Sequence, residues 1–95
     1  MKTTVVNLKT CKDADVVRID RTTIFGNPFV MRTEADRRDV LHHFEKYFYD
    51  RIRKDIVFRC RVLRLKGKKL GCWCKPKACH GDIIAGYLEK DSGVN

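Results

Sequence analysis

The sequence predicts a single small α/β (or α+β) domain, residues 1–95, in which a short sheet packs against two or three helices. Three observations predict it. Two β-branched runs, residues 3–8 and 15–20, read as strands. A long stretch in the middle repeats apolar residues at helical spacing. An apolar segment rich in cysteine, residues 68–74, then reads as a buried strand leading into a further helical pattern. Ninety-five residues leave no room for a second core. With 43% apolar residues and two prolines, the chain has the composition of a folded globule.

The elements follow in order. The first strand carries Thr4, Val5 and Val6, and the second Val16, Val17 and Ile19, with a polar turn-like stretch between them. Gly26-Asn27-Pro28-Phe29 is a shaped loop. Pro28 biases Asn27 away from helical backbone, and Gly26 permits an unusual backbone angle. Such a loop either turns the chain or presents Asn27 and backbone amides to a ligand. Thr33 is a helix N-cap candidate, with Glu34 and Asp36 in the first turn. Val40, Leu41, Phe44, Tyr47, Phe48 and Ile52 then line one face of a helix over about residues 34–53, an aromatic stripe that reads as core. Adjacent His42 and His43 cannot share a face, so at least one meets solvent and both are weak metal candidates. Residues 55–65 fit two patterns: Ile56, Phe58, Cys60 and Val62 alternate as in a strand, while Ile56, Val57, Cys60 and Leu63 fit a helix. Gly67 breaks the pattern and Pro76 ends the strand after it. A final helix runs from about residue 79 or 80 through Ile83, Ile84, Tyr87 and Leu88.

The formal charge is +9. Residues 51–77 hold eleven Lys or Arg against Asp55 alone, while the other 68 residues sum to −1. This local asymmetry is either a solvated surface or a phosphate-contacting face, with nucleic acid or a nucleotide as the partner. Lys68, Lys69, Lys75 and Lys77 are its ligand-binding candidates beside the cysteines. No apolar run approaches the roughly 18–20 residues of a membrane span, and none at the N-terminus has the length of a signal peptide. No membrane partner is expected, and the expected location is the cytoplasm.

Three of the five cysteines fall within eight residues, in Cys72-Trp73-Cys74-Lys75-Pro76-Lys77-Ala78-Cys79-His80-Gly81-Asp82. On a strand, Cys72 and Cys74 project to one side and Trp73 to the other. A turn at Pro76 can return Cys79 to them at a helix start. Three chemistries compete. Cys72, Cys74, Cys79 and His80 have the count and softness of a zinc site, with zinc as the candidate cofactor, although C-x-C-x4-C-H is an irregular spacing. Alternatively, Cys79 at a helix N-terminus near Lys75 and Lys77 is an activated thiol, with His80 or Asp82 as proton carrier or orienting group. Free amides at the same helix start would also receive a phosphate. In the third, the cysteines are buried small hydrophobes, Trp73 is a core anchor, and Asp82 is a first-turn acid. A reducing compartment and an odd cysteine count disfavour disulfides. Cys11 and Cys60 look like core or incidental cysteines. The Cys74 to His80 spacing does not fit haem attachment.

Taken together, Gly26-Asn27-Pro28-Phe29 and Leu70-x-Cys72-Trp73-Cys74-x-Pro76-x-x-Cys79-His80-x-Asp82 resemble the signatures of a small family of domains of unknown function found in bacteriophages and bacteria. The likeness covers about residues 16–88. Members often carry Gly-Arg shortly before G-N-P-F; here Arg21 is present and Asp20 stands at the glycine position. The resemblance implies a helix before the C-W-C strand, and so a helix over residues 55–65. It implies that the loop and the cysteine cluster face one another, with Arg21, Asn27, Cys79, His80 and Asp82 lining one pocket. It implies a shared site without naming an activity, in host cytoplasm for a phage-encoded member. The expected function is binding of nucleic acid or a nucleotide through the basic face beside the Cys/His site. The alternatives are a small thiol-dependent enzyme acting on a phosphate-bearing substrate through Cys79, His80 and Asp82, and a phage protein that binds a host protein.

Overall fold

The computed structural model describes residues 2–93, with side chains described to residue 90. Its elements are β1 (Thr4–Asn7), β2 (Val17–Arg18), a 3-10 turn (Glu34–Asp36), α1 (Arg37–Lys54), α2 (Ile56–Leu63), β3 (Lys69–Cys72) and α3 (His80–Gly93). The α/β class expected from the sequence is what the chain adopts. The three strands form one parallel sheet in the order β1-β3-β2. Val5 and Val17 both pair with Leu70, on opposite edges of β3.

The last strand in sequence is thus the centre of the sheet, which explains its composition. Leu70, Gly71 and Cys72 are all buried, as a strand covered on both faces must be. Leu70 and Cys72 join the helix-packed core. Lys69 and Gly71, alternating with them, face the β1–β2 connection. Lys69 Nζ reaches Asp13 at 2.5 Å. A Cβ on Gly71 would come within 2.4 Å of Leu8 Cδ2 and 2.7 Å of Val16 Cγ1.

Helix α1 buries Phe44, Phe48 and Ile52, one residue per turn of the expected stripe. Phe48 meets Phe58 and Tyr87 edge-on at 6.0 and 5.6 Å between ring centroids, joining the three helices around one aromatic centre. Ile56–Leu63, most of the ambiguous 55–65 stretch, is helical, as the resemblance implies. Asp55 breaks α1 from α2 by taking extended backbone (φ −113°, ψ 97°) and accepting a 3.0 Å bond from the Phe58 amide, an N-cap that starts a new helix at once. Gly67 at φ 79° turns the chain from α2 into β3. His42 and His43 are both exposed, and so is Cys60.

Candidate functional site

All three strands point their carboxyl ends the same way, and the loops leaving those ends enclose a cleft of about 520 Å³. This is where open parallel sheets bind ligands, and the volume suits a small molecule. β2 contributes Arg18 and the following Asp20, Arg21 and Thr22. The G-N-P-F loop contributes Asn27 and Phe29. β3 and its extension contribute Cys72, Trp73 and Cys74. The start of α1 supplies Arg37, Val40 and Leu41, and the start of α3 supplies Cys79 and His80.

Asp20 organises the entrance. Its carboxylate is buried and accepts from Arg18 Nε at 3.2 Å, Arg18 Nη2, Trp73 Nε1 at 3.0 Å, and the Thr22 amide and hydroxyl at 3.2 and 2.5 Å. The Arg18 hydrogen bond, more than any other contact, holds this carboxyl well below the usual range, against the opposing effect of burial. Arg18 also lies over the Trp73 ring, 5.8 Å from its centroid. One buried acid therefore fixes a guanidinium and an indole 53 residues away. Trp73, expected as a core anchor in the structural account of the cluster, is instead 56% exposed. The chain leaves β-strand geometry after Cys72, so strand alternation does not reach position 73.

The G-N-P-F loop closes against this clamp. Asn27 Oδ1 accepts from the Phe29 amide at 2.9 Å, and Arg21 Nη2 donates to the Phe29 carbonyl at 2.9 Å. Gly26 is required for a different reason from the one expected. Its φ is not positive; a Cβ there would lie 2.7 Å from both Arg21 Cα and the Asp20 carbonyl oxygen. Both motif halves therefore shape one cleft, and Arg21, Asn27, Cys79 and His80 share it as the resemblance implies.

Asp82 does not line it. Its carboxylate turns back to accept from the Cys79 amide at 3.0 Å, capping the start of α3, and pairs with Lys75 at 2.5 Å. Lys77 pairs with Glu34, and Lys69 with Asp13. Of the four lysines expected to bind ligand, Lys68 alone lacks an ion pair among the described residues, and none of the four lines the cleft. The cations there are Arg18, paired with Asp20; Arg37, paired with Glu34; and Arg21, which has no acidic partner among the described residues. Arg37, followed by Lys77, pulls the Glu34 carboxyl down to about 2. Arg37 also donates to the Ala78 carbonyl at 2.6 Å, tying the loop before α3 to α1.

Cys72 and Cys79 are both buried, with Sγ atoms 3.0 Å apart. The proton shared between them makes the first ionisation easier and the second harder. The Cys79 hydrogen bond, helped by the Cys74 and Lys75 amides and the Lys75 charge, draws Cys72 down to about 6. Cys79 is pushed up, by its bond to Cys72 and then by burial. The two thiols thus titrate as a pair, with Cys72 at the end of the central strand drawn down and Cys79 at the helix start pushed up. Replacing Cys79 with Ala removes the largest cause. The midpoint of Cys72 alkylation against pH is expected to rise from about 6 towards the roughly 8.5 of a free thiol. An unchanged midpoint would refute the pairing.

The four residues expected as zinc ligands border the same cleft, but among the described residues no three His, Cys, Asp or Glu side chains are placed to hold one ion. His80 is committed elsewhere. Nε2 donates to the Ile19 carbonyl at 2.7 Å, and the ring packs edge-on against Phe44 at 5.2 Å. Burial lowers its pKa, with the Ile19 and Phe25 carbonyls opposing. A group whose folded pKa is depressed keeps its full contribution above the unfolded value and loses it as pH falls through the folded one. Urea midpoints should therefore decline as pH drops below about 6.5. His80→Gln, which keeps a donor for Ile19, should flatten that decline; the same slope in the variant would assign it to another group.

Sequence reasoning overlooked Arg18, Arg37 and Phe29 and misplaced Trp73. The one local signal was the acid at Asp20, beside Arg21, where the family pattern has glycine.

A family model described as "Domain of unknown function (DUF4326)" matches residues 6–90, and the chain belongs to that family. The chain is 43% identical over 74 residues to an uncharacterized 12.4 kDa protein in the nrdA-td intergenic region of Enterobacteria phage T4, covering 78% of this chain and 68% of that protein. No solved structure matches the chain. Both signature motifs and the cleft they shape fall inside the matched residues. Among the described residues, no helix is long and apolar enough to cross a membrane.

Proposed function

We propose that this member of the DUF4326 family binds a nucleotide in the cleft at the carboxyl ends of its strands. The observation that carries this is the exposed Trp73 indole, clamped by Asp20, in the same cleft as Arg21, a guanidinium with no acidic partner among the described residues. An indole face stacks any base, and a guanidinium forks onto phosphate oxygens. Phe29, Met31, Val40 and Leu41 supply the apolar wall that a base or sugar covers. The internal pairing of Lys69, Lys75 and Lys77 favours this cleft over a lysine face tracking a nucleic-acid backbone.

Calorimetric titration with nucleoside monophosphates, the matching nucleosides and inorganic phosphate separates the two contacts. The nucleotides should bind more tightly than either part. Arg21→Ala should erase the advantage of nucleotide over nucleoside, and Trp73→Ala should cost roughly 1–3 kcal/mol of base stacking. Equal binding of nucleotide and bare phosphate would refute the indole's role.

A second reading adds chemistry to the same ligand. Cys72, drawn down to about 6, borders the cleft and is the thiol best prepared to act as a nucleophile. Bound nucleotide should protect it from alkylation, whereas exposed Cys60 stays reactive.

A further inference from the structure

Helix α2 is apolar on both faces, unlike an ordinary surface helix. Phe58 and Val62 face the core, and the opposite side is apolar too. Ile56 is 64% exposed, Val57 60% and Leu63 37%, with exposed Cys60 between them. Ile56, Cys60 and Leu63 stand at i, i+4 and i+7, one straight line along the outside of the helix. Arg59 flanks that line on one side and Arg61 and Arg64 on the other, and none of the three forms an ion pair among the described residues. Beside the Arg61 and Arg64 edge lies a groove of about 420 Å³, walled on its far side by Thr23, Ile24 and Phe25.

We infer that the outward face of α2 docks an acidic amphipathic helix of a protein partner. An apolar line between arginine rows complements a helix whose own apolar stripe is bordered by Asp and Glu, and desolvating three aliphatic side chains supplies the contact energy. A nucleic-acid backbone would use the arginines and gain nothing from Ile56, Val57 or Leu63, and the helix offers no exposed ring for a base. A second copy would bring its own unpaired arginines against these. The inference is independent of nucleotide binding, since α2 does not border that cleft.

A display library of short random peptides, selected against the whole domain, tests it. Enriched peptides should place apolar residues at helical spacing between Asp and Glu, and their binding should weaken with salt. Affinity should fall about tenfold with Ile56→Ser/Leu63→Ser and by a similar factor with Arg61→Glu/Arg64→Glu. All four side chains are exposed, so an unchanged melting temperature certifies the variants, and Val57→Ser provides an independent one. Peptides that lack acids, or that bind the Ser variants equally well, would overturn the inference. So would a surface whose Ile56- and Leu63-dependent ligand proves to be single-stranded oligothymidine, phosphatidylserine vesicles or, by sedimentation, a second copy of the chain.

Discussion

Asp20→Ala is expected to destabilise the domain by about 2–3 kcal/mol and to abolish nucleotide binding. The substitution strands the Trp73 indole N–H and the Thr22 amide and hydroxyl, and frees Arg18 from its only acidic partner among the described residues. The cost stays below that of a fully buried ion pair because Arg18 is half exposed. Asp20→Asn separates charge from shape. It retains an acceptor for the indole but neutralises the group that holds Arg18, so about half of the loss should return. The pH dependence has a definite sign. The folded pKa of Asp20 is depressed, so its contribution is complete above the unfolded carboxylate value near 3.9, shrinks as pH falls below that value, and is lost only as pH falls through the much lower folded one. Chemical denaturation at pH 7 and pH 3 should show the gap between wild type and Asp20→Asn narrowing, without closing, at acid pH. A constant gap would show that the carboxylate charge is not what matters.

Gly26→Ala should be the other severe lesion, because the clash is backbone against backbone. A Cβ 2.7 Å from Arg21 Cα and from the Asp20 carbonyl cannot be relieved by a rotamer change. The loop must lift, at about 2–3 kcal/mol, which for a domain of this length is roughly a 10–20 °C loss in melting temperature. Lifting it also breaks the Arg21 bond to Phe29 and opens one wall of the cleft. Gly71→Ala is the instructive comparison: its obstacles are the Leu8 and Val16 side chains on the far face, so stability should drop while ligand affinity survives in the folded fraction. Loss of affinity in both variants, beyond what unfolding explains, would mean that the loop does not shape the cleft specifically.

Much of this architecture could be read along the chain, because its signals are local. β-branched runs and a 3.6-residue apolar repeat mark elements that form where they are written, whereas the break at Asp55 between α1 and α2 carries no such mark. The order of the sheet could not be read in this way. Nothing near Leu70 states that Val5 and Val17 flank it, although the unbroken burial of β3 is the consequence. The site was legible by half. The motifs locate the loop and the cysteines, since unusual residue types crowd there. The partner of Trp73 lies 53 positions away, and no spacing rule connects them. The lysines misled for the same reason: a cation run shows charge, but the acids that quench Lys69, Lys75 and Lys77 come from Asp13, Asp82 and Glu34. For the thiols, helix position and the nearby Lys75 and Lys77 favoured Cys79, and neither signal announces its contact with Cys72, which with burial pushes its pKa up.

Trp73 is the only tryptophan in the chain, so its emission reports on the cleft alone. Titrating the wild-type protein with nucleoside mono-, di- and triphosphates should give a saturable change in that emission, with the dissociation constant raised about tenfold in Arg21→Ala. An emission spectrum unmoved by every nucleotide up to millimolar concentration, in protein shown to be folded, would contradict the assignment of the cleft.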